Sequence, residues 1–256
     1  MNMQDFNIKE YQAADDLLKD RVILITGASD GIGKAVAKEY ARVGATVILH
    51  GRDTTKLETV YDEIVEAGYP QPAILPLNLV NASAEQFKSL AETIESELGQ
   101  LDGILHNAGM LNELSPIEYT TSEDWHQVMQ VNINSVYLIT HACLPLLRRS
   151  TSASVIMTSS GVGRKGRAFW GPYAVSKFAV EGFMQVLSDE LEGSNIRVNA
   201  INPGATRTKM RATAYPAEDK YQLITPQQVT PLYLYLMSDD SGSINGQSLD
   251  AQAPKK

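Results

Sequence analysis

Residues 22–44 read VILITGASDGIGKAVAKEYARVG and join a short apolar run, a glycine-rich loop and an amphipathic pattern. The run up to Ile25 predicts a buried strand, the loop after it carries three glycines, and apolar residues then recur at helical spacing until Gly44. Glycines allow a tight turn and a close approach of the backbone, and a helix N-terminus offers unpaired N–H groups to a pyrophosphate. The stretch therefore predicts a dinucleotide site, with a plain strand-to-helix turn as the alternative.

Apolar runs and helical patterns keep alternating along the rest of the chain. This alternation predicts a single-domain α/β protein, a doubly wound, Rossmann-like parallel sheet of about seven strands with helices on both faces. We expect an N-terminal arm over 1–20, the domain over 21–256, and a lid over the polar, irregular segment 209–225. The further predicted elements are Thr46 to Leu49, Thr54 to Ala67, Ala73 to Leu77, Ala84 to Leu98, Asp102 to Leu105, Ser122 to Leu147, Ala153 to Met157, a helix opened by Pro172, Ile196 to Ile201, Pro226 to Met237 and Ser248 to Asp250.

The composition limits the classes of partner. The chain has 256 residues, a net charge of −8 and a single cysteine. The negative charge argues against a general affinity for nucleic acid or for an anionic membrane. Residues 1–20 lack the apolar core of a signal peptide, and no apolar stretch reaches the length of a membrane span. We therefore predict a cytoplasmic protein that binds neither nucleic acid nor membrane, with Cys143 packed in a helix.

The residues after the second predicted strand bear on the choice of dinucleotide. This strand ends at Leu49 and is followed by His50, Gly51 and Arg52. An acidic residue here would bind the adenosine ribose of NAD, and none is present. Arg52 instead carries a planar set of donors suited to a 2′-phosphate, unless it only projects into solvent. The sequence favours NADP(H), with NAD(H) as the alternative, and Asn78 at the end of the third strand is expected to meet the adenine edge.

A second group of polar residues follows the predicted strand that ends at Met157. Ser160 comes shortly after that strand, and Pro172 is suited to open the helix that carries Tyr173 and Lys177. Four residues apart on a helix, a phenol and an ammonium share one face and can act together on one substrate atom. This spacing indicates a proton-transfer device, although a surface helix pair would show it too.

Two further features admit a functional and a structural interpretation. Asn132 lies in an apolar part of a predicted helix, either as a hydrogen-bonded core amide or as an active-site residue. Basic side chains follow Ser160 and recur in the predicted lid, where they would bind an acidic group of a substrate or lie in solvent. They are Arg164, Lys165, Arg167, Arg207, Lys209 and Arg211, and Trp170 would add an aromatic wall.

Taken in order, these motifs resemble the short-chain dehydrogenase/reductase family from about Arg21 to Asp250. The stretches TGASDGIG, LDGILHNAG, VGRKGRAFWGPYAVSKFA, NPGATRTKMRA and PLYLYLMSDDS are similar to one group of bacterial oxidoreductases in that family. The resemblance implies that the catalytic residues are Asn132, Ser160, Tyr173 and Lys177. It implies that the cofactor-binding residues are Gly27, Ser29, Asp30, Gly31, Ile32, Gly33, Arg52, Asn78, Leu79, Asn107, Ala108, Gly109, Tyr173, Lys177, Pro203, Gly204, Thr206 and Thr208.

The chain departs from the family pattern at three places. The family usually has Asp at the position of Asn78, which bears on adenine recognition. Asp30 stands where many NADP-dependent members have a basic residue, so Arg52 would bind the phosphate with help from Ser29 at most. The usual D-G-G near the C-terminus is replaced by residues 250–252, Asp-Ala-Gln.

The resemblance implies an NADP(H)-dependent oxidoreductase that interconverts a carbonyl and an alcohol by hydride transfer. Tyr173 would exchange a proton with the substrate oxygen, Ser160 would hold that oxygen, and Lys177 would bind the nicotinamide ribose and stabilise the phenolate. Asn132 would hold a water that links Lys177 to solvent. To work near neutral pH, the pKa of Tyr173 would have to fall by roughly 3 units from about 10, and one lysine at about 4 Å is sufficient in principle.

Other functions stay open at this level. A non-catalytic NADP(H)-binding redox sensor would need the glycine loop alone, so the complete catalytic set favours an enzyme. Enoyl reduction is disfavoured because such relatives place more residues between Tyr and Lys than the three found here, and the four histidines show no metal-ligand spacing. The resemblance also implies a homodimer or homotetramer formed through the helices near 122–147 and 173–191. We expect a small-molecule carbonyl or alcohol substrate, with some preference for acidic or polar compounds.

Overall fold

The structure is a computed structural model that describes residues 11–253. Its strands are β1 (Val22–Thr26), β2 (Thr46–Gly51), β3 (Ala73–Pro76), β4 (Gly103–His106), β5 (Ala153–Thr158), β6 (Ile196–Asn202) and β7 (Ser248–Asp250). Its helices are α1 (Gly31–Arg42), α2 (Thr54–Glu66), α3 (Ala84–Leu98), α4 (Ser122–Met129), α5 (Ser135–Leu147), α6 (Gly171–Glu190), α7 (Lys209–Ala214) and α8 (Thr230–Met237). The strands form one sheet in the order β3-β2-β1-β4-β5-β6-β7, with every pair parallel.

Apolar side chains cover both faces of this sheet. Successive residues of a strand point to opposite faces, so Val47 and Leu49 join one core while Ile48 joins the other. The first core packs against α1, α2 and α8, and the second against α3, α5 and α6. A parallel sheet covered on both faces needs nearly continuous apolar strands, which is the pattern in β1, β2 and β5. The predicted doubly wound parallel sheet with helices on both faces is confirmed.

The strand order reverses between β1 and β4, and this reversal fixes the position of the site. The chain leaves β1 toward β2 on one side and later returns to place β4 on the other side. The loops after these two strands therefore diverge, and a crevice opens between them at the carboxyl edge of the sheet. The glycine loop follows β1, and the His-Asn-Ala-Gly turn at 106–109 comes at the end of β4.

Three predicted elements differ from the observed ones, and in one of them, the helix expected from Pro226 to Met237, a 3₁₀ turn Pro226–Val229 precedes α8. The helix expected from Ser122 to Leu147 is interrupted by a π-helical turn, Gln130–Asn134, where the side chain of Asn132 bonds to the backbone of Met110. The segment 209–225 was expected to be irregular, and this is wrong for its first part. Residues 209–214 form α7 because the Thr208 hydroxyl accepts a hydrogen bond from the Arg211 N–H and caps the helix.

The predicted N-terminal arm falls partly outside the described residues, which begin at 11. Its described part lies against the domain: the Leu18 side chain is fully buried, and its backbone N–H donates to the carbonyl of Val43. The Tyr11 hydroxyl donates to Asp240. The division between an arm and a domain at residue 20 stays a prediction. Over residues 11–253, no helix combines the length and apolar character needed to cross a bilayer.

Two buried histidines lie next to the carboxyl edge of the sheet. His50 is the last residue but one of β2 and pairs with Thr26 of β1. His106 is the last residue of β4, the strand on the other side of β1. The His106 ring bonds to the Thr140 hydroxyl, whereas neither ring nitrogen of His50 has a partner within the described part of the chain. Burial lowers the pKa of His50 to about 4 and that of His106 to about 3. Both rings are therefore neutral at physiological pH.

This burial predicts a loss of stability in acid. In the unfolded chain these histidines have a pKa of about 6.5, so they bind protons at a pH at which the buried rings stay neutral. The free energy of unfolding therefore falls as the pH drops from about 6.5 toward 4. We expect His50→Leu to reduce the loss between pH 7 and pH 5 by about 2 kcal/mol, measured by urea unfolding. The exposed His126, changed to Gln, is the control. An unchanged pH dependence in His50→Leu would contradict this assignment.

Candidate active site

A cavity of about 810 Å³ opens at the carboxyl edge of the sheet. Its walls come from the loops after β1, β4, β5 and β6, from the start of α6, and from α7 together with Tyr215. The predicted glycine loop and the predicted catalytic residues thus face one space, although they lie more than a hundred residues apart in sequence. This is the crevice that the strand order requires.

The glycine loop approaches its neighbours too closely for side chains. A Cβ added at Gly33 would lie 2.2 Å from the carbonyl oxygen of Gly27 and 2.5 Å from the Asn107 amide nitrogen. Gly27 itself has φ +69°, and a Cβ there would lie 2.9 Å from the Ala108 Cα. The Thr26 hydroxyl accepts the backbone N–H groups of both Asn107 and Ala108. The loop after β1 and the turn after β4 are therefore locked together into a backbone cradle that fits a dinucleotide.

Asp30 links this cradle to α7. Its carboxylate accepts the N–H of Gly31 and caps α1, and it also pairs with the Lys209 ammonium at 2.8 Å. The bond from Lys209, with a smaller contribution from Gly31, holds the pKa of Asp30 below its ordinary value. The acidic charge in the glycine loop is thus balanced by a cation of the predicted lid. The methyl group of Thr208 also lies 3.3 Å from the Cβ position of Gly31.

The residues predicted to select the cofactor are not part of the cavity lining. Arg52 is exposed at the end of β2, and the Ser29 hydroxyl lies 3.6 Å from the Cβ position of the adjacent Gly51. Asn78 is exposed and its side-chain oxygen accepts the N–H of Val80. The Leu79 side chain, by contrast, is buried in the core beneath this edge.

Ser160, Tyr173 and Lys177 meet on one wall of the cavity. Ser160 follows β5 and its hydroxyl caps the short turn Gly161–Gly163. Tyr173 and Lys177 lie on the first turns of α6, and the Lys177 ammonium donates to the carbonyl of Thr158 at 2.7 Å. The same ammonium lies 5.6 Å from the centre of the Tyr173 ring. The structure thus brings the three predicted side chains together.

The charges of this group differ from the expectation. Burial raises the pKa of Tyr173 to about 12, although the Ser160 hydroxyl lowers it in part. Burial also lowers the pKa of Lys177 to about 8, against the opposing charge of Glu181. Burial therefore acts against the lowering of the phenol pKa that proton transfer by Tyr173 would need near neutral pH. The phenol has lost its water, and the Lys177 ammonium is directed to the Thr158 carbonyl and to the face of the Tyr173 ring.

Asn132 is 1% exposed and its amide has protein partners on both sides. Its nitrogen donates to the Met110 carbonyl and the Ser176 hydroxyl, and its oxygen accepts the Met110 N–H. None of these partners is Lys177, and Asn132 does not line the cavity. These are the contacts of a hydrogen-bonded core amide. It holds the turn after β4 against the residue that precedes Lys177.

The loop after β6 is held by Asp250 and Gln252, the first and last residues at the position of the family's D-G-G. The Gln252 amide donates to the carbonyls of Pro203 and Ala205, and a Cβ at Gly204 would lie 2.7 Å from that amide. The Asp250 carboxylate accepts the side-chain amide of Asn202. The departure at Gln252 therefore supplies a polar side chain that bonds to the predicted nicotinamide-side loop.

The basic residues near the cavity differ in whether they have partners. Most of them are bound: Arg164 to Ser248 and Asp250, Arg207 to the backbone of the lid, Lys209 to Asp30 and Arg211 to Glu218. Arg167 donates to the hydroxyl of Tyr215. Lys165 also lines the cavity, and it has neither a hydrogen bond nor an ion pair with residues 11–253. Among residues 11–253, Lys165, Arg167 and Arg207 are thus the cations of this set without a carboxylate partner, and of these Lys165 and Arg167 line the cavity.

Most of the predicted site residues line the cavity. Those that do not are Ser29, Gly33, Arg52, Asn78, Leu79 and Asn132. The sequence analysis missed Glu181, Gln252 and Tyr215. The position of Glu181 could have been noticed from the sequence, because it lies four residues after Lys177 and so shares its helical face. The contacts of Gln252 depend on a loop far away in the chain and leave no such sign. No group of His, Cys, Asp or Glu suited to a metal ion occurs between residues 11 and 253.

Comparison with known proteins points to the family that the sequence motifs resemble. Residues 21–219 match the model of the family described as short chain dehydrogenase. The chain is 51% identical over 246 residues to the oxidoreductase YciK of Escherichia coli, covering 96% of this chain and 97% of that protein. It is 33% identical to the 3-oxoacyl-[acyl-carrier-protein] reductase of Thermotoga maritima, covering 90% and 95%.

Solved structures agree with these matches. A Shigella flexneri protein solved in complex with NADP is 51% identical and superposes with a TM-score of 0.92. The match covers 94% of this chain and all of that chain. The five stretches singled out in the sequence are similar to the YciK group, and the identity to the E. coli protein confirms that resemblance.

Proposed function

Because the chain belongs to the short-chain dehydrogenase family of oxidoreductases, we propose that it interconverts a carbonyl and an alcohol, with NADP(H) as cofactor and Tyr173 as general acid and base. One observation carries the proposal: Ser160, Tyr173 and Lys177 line the same cavity as the glycine loop. A reacting carbon placed there can meet a cofactor and a proton donor together. The match to a 3-oxoacyl reductase supports the carbonyl class.

Each side chain has a role that its position allows. Tyr173 donates a proton to the carbonyl oxygen during reduction and accepts it during oxidation, while Ser160 holds that oxygen by a hydrogen bond. Lys177 binds the ribose next to the nicotinamide and stabilises the phenolate by its charge. Asn132 contributes by holding Ser176 and Met110, and the predicted water between it and Lys177 remains part of the proposal. Bound NADPH would supply the hydride.

The proposed cofactor is NADP(H), with NAD(H) as the weaker alternative. The Shigella flexneri relative was solved with NADP. In this chain the glycine cradle would hold the pyrophosphate, and the exposed guanidinium of Arg52 is free to take a 2′-phosphate beside Ser29. The carboxylate of Asp30 would repel this phosphate only weakly, because its charge is paired with Lys209. Gly31, Ile32, Ala108, Gly109, Pro203, Gly204, Thr206 and Thr208 complete the proposed set around the cavity.

The proposed substrate is a small carbonyl or alcohol with an acidic or polar group. Lys165 and Arg167 supply positive charge on the cavity wall without a carboxylate to neutralise it. Trp170 lies 5.6 Å from the Tyr173 ring and 6.0 Å from the Tyr215 ring, and together these form an aromatic surface. Equal kcat/KM values for matched neutral and carboxylated carbonyls would contradict the preference for acidic compounds.

We further propose a homodimer or homotetramer formed through α5 and α6. The exposed apolar residues of these helices are Tyr137, Val175, Phe178 and Val186, each more than two-fifths exposed. Their burial against a second copy would remove apolar area from water. We expect light scattering to give a mass of at least twice 28.0 kDa. A mass of one chain across micromolar concentrations would contradict the proposal.

The proposed chemistry predicts that Tyr173→Phe abolishes turnover while cofactor binding is kept. The change removes one hydroxyl, so we expect kcat to fall by at least about 100-fold on a panel of carbonyls, with an unchanged Kd for NADPH. Tyr119→Phe, at a tyrosine that is 71% exposed, is the matched control. NADPH binding without turnover on any compound, in wild type and variant alike, would favour the alternative of a redox sensor that reports to a partner.

The cofactor proposal predicts that Arg52→Gln selectively weakens NADPH binding. Loss of a charge-assisted contact to phosphate should raise the Kd for NADPH roughly 10- to 100-fold and leave the Kd for NADH unchanged. Fluorescence titration of both cofactors measures this. Lys88→Gln, which makes the same change of charge on the exposed face of α3, controls for general electrostatics. Equal losses for NADPH and NADH would place Arg52 outside the phosphate site.

A further inference from the structure

A buried carboxylate lies behind the catalytic wall of the cavity. Glu181 follows Lys177 by one turn of α6 and is 6% exposed. One of its oxygens accepts hydrogen bonds from the hydroxyls of Ser159, at 2.5 Å, and Ser248, at 2.8 Å. The guanidinium of Arg164 lies 3.5 Å from the same oxygen. A carboxylate is rarely buried to this extent unless it is paired, so this cluster is a built feature of the site.

The partners of Glu181 come from three separate parts of the chain. Ser159 immediately precedes Ser160, and Arg164 belongs to the loop between Ser160 and Tyr173. Ser248 lies on β7, where Arg164 also bonds to Asp250 at 2.8 Å. One carboxylate therefore fixes the end of β5, the catalytic loop and the last strand relative to α6.

Glu181 also bears on the charge of Lys177. An ammonium that has lost its water needs an anion nearby to stay protonated, and burial lowers the pKa of Lys177 to about 8 while Glu181 acts in the opposite direction. In the described part of the chain, the charged groups around Glu181 are Lys177 on α6, Arg164 on the loop after β5, and Asp250 on β7 through Arg164. Its other neighbours, Ser159 and Ser248, are hydroxyls.

We propose that Glu181 is a positioning residue, whose carboxylate keeps Lys177 protonated and, through Ser159, holds Ser160 in place, with Arg164 setting how much of that negative charge Lys177 feels. This inference rests on the proposed roles of Ser160 and Lys177. A Glu181 with a structural role alone would affect stability, but its loss would not shift the titration of Lys177. The charge effect therefore separates the two roles.

The test compares variants with opposite expected effects. Glu181→Gln keeps an oxygen that can accept from the two hydroxyls and removes the charge. Arg164→Gln removes the cation that compensates Glu181. Ser248→Ala removes a hydrogen bond and no charge. Lys177 is titrated directly by NMR of protein labelled with ¹³C at lysine Cε, and its signal is assigned by its loss in Lys177→Arg. The alkaline limb of kcat/KM is measured in parallel.

We expect the pKa of Lys177 to fall by about one unit in Glu181→Gln, to rise by about as much in Arg164→Gln, and to stay nearly constant in Ser248→Ala. We expect the apparent pKa of the alkaline limb of the kcat/KM profile to shift in the same direction as the pKa of Lys177. Absence of a shift, or shifts in the same direction for the two charge variants, overturns the proposal. If one variant does not fold, the sign of the shift in the other still decides. The NMR titration needs no turnover, so a failure of the proposed reaction, seen as activity that persists in Tyr173→Phe, is distinguished from a failure of this inference.

Discussion

Burial of the Lys177 ammonium is the constraint on which the site depends. An ammonium removed from water must find an acceptor and a compensating charge, or it loses its proton. The Thr158 carbonyl at the end of β5 supplies the acceptor, and this bond draws the start of α6 against the strand. The loop between them passes so close to α6 that a Cβ at Gly163 would lie 2.8 Å from the Cβ of Lys177. This proximity brings Ser160 and Tyr173 to the same point.

The sheet, the glycine loop and the pairing of Tyr173 with Lys177 could be predicted because each depends on residues that are close together in the sequence. A strand covered on both faces is apolar throughout, a glycine loop is read from its own residues, and Tyr173 and Lys177 share a face by helical spacing alone. The placements that could not be predicted depend on distant residues. Asn132 bonds to Met110, and Gln252 bonds to Pro203 some fifty residues away. Local periodicity contains no information about such pairs.

The pKa of Tyr173 shows a second limit of sequence reasoning. The spacing of Tyr173 and Lys177 gives a Coulomb attraction between them, and from that attraction alone a lowered phenol pKa follows. The spacing gives neither the burial of the phenol nor the direction of the ammonium, and in the structure burial raises the pKa of the phenol. The same holds for the basic residues of the loop and lid: their charge is visible in sequence, whereas their carboxylate partners are not.

The ion pair between Asp30 and Lys209 makes one wall of the cavity sensitive to ionic strength. It joins the glycine loop to α7 across the cavity, yet both of its side chains are half exposed or more. Dissolved ions therefore screen it readily, because exposed charges interact weakly across water. Added salt should therefore weaken the link between the glycine loop and α7, whereas the buried hydrogen bond between Lys177 and Thr158 is shielded from it. The two walls of the cavity thus differ in how far the surrounding solution can alter them.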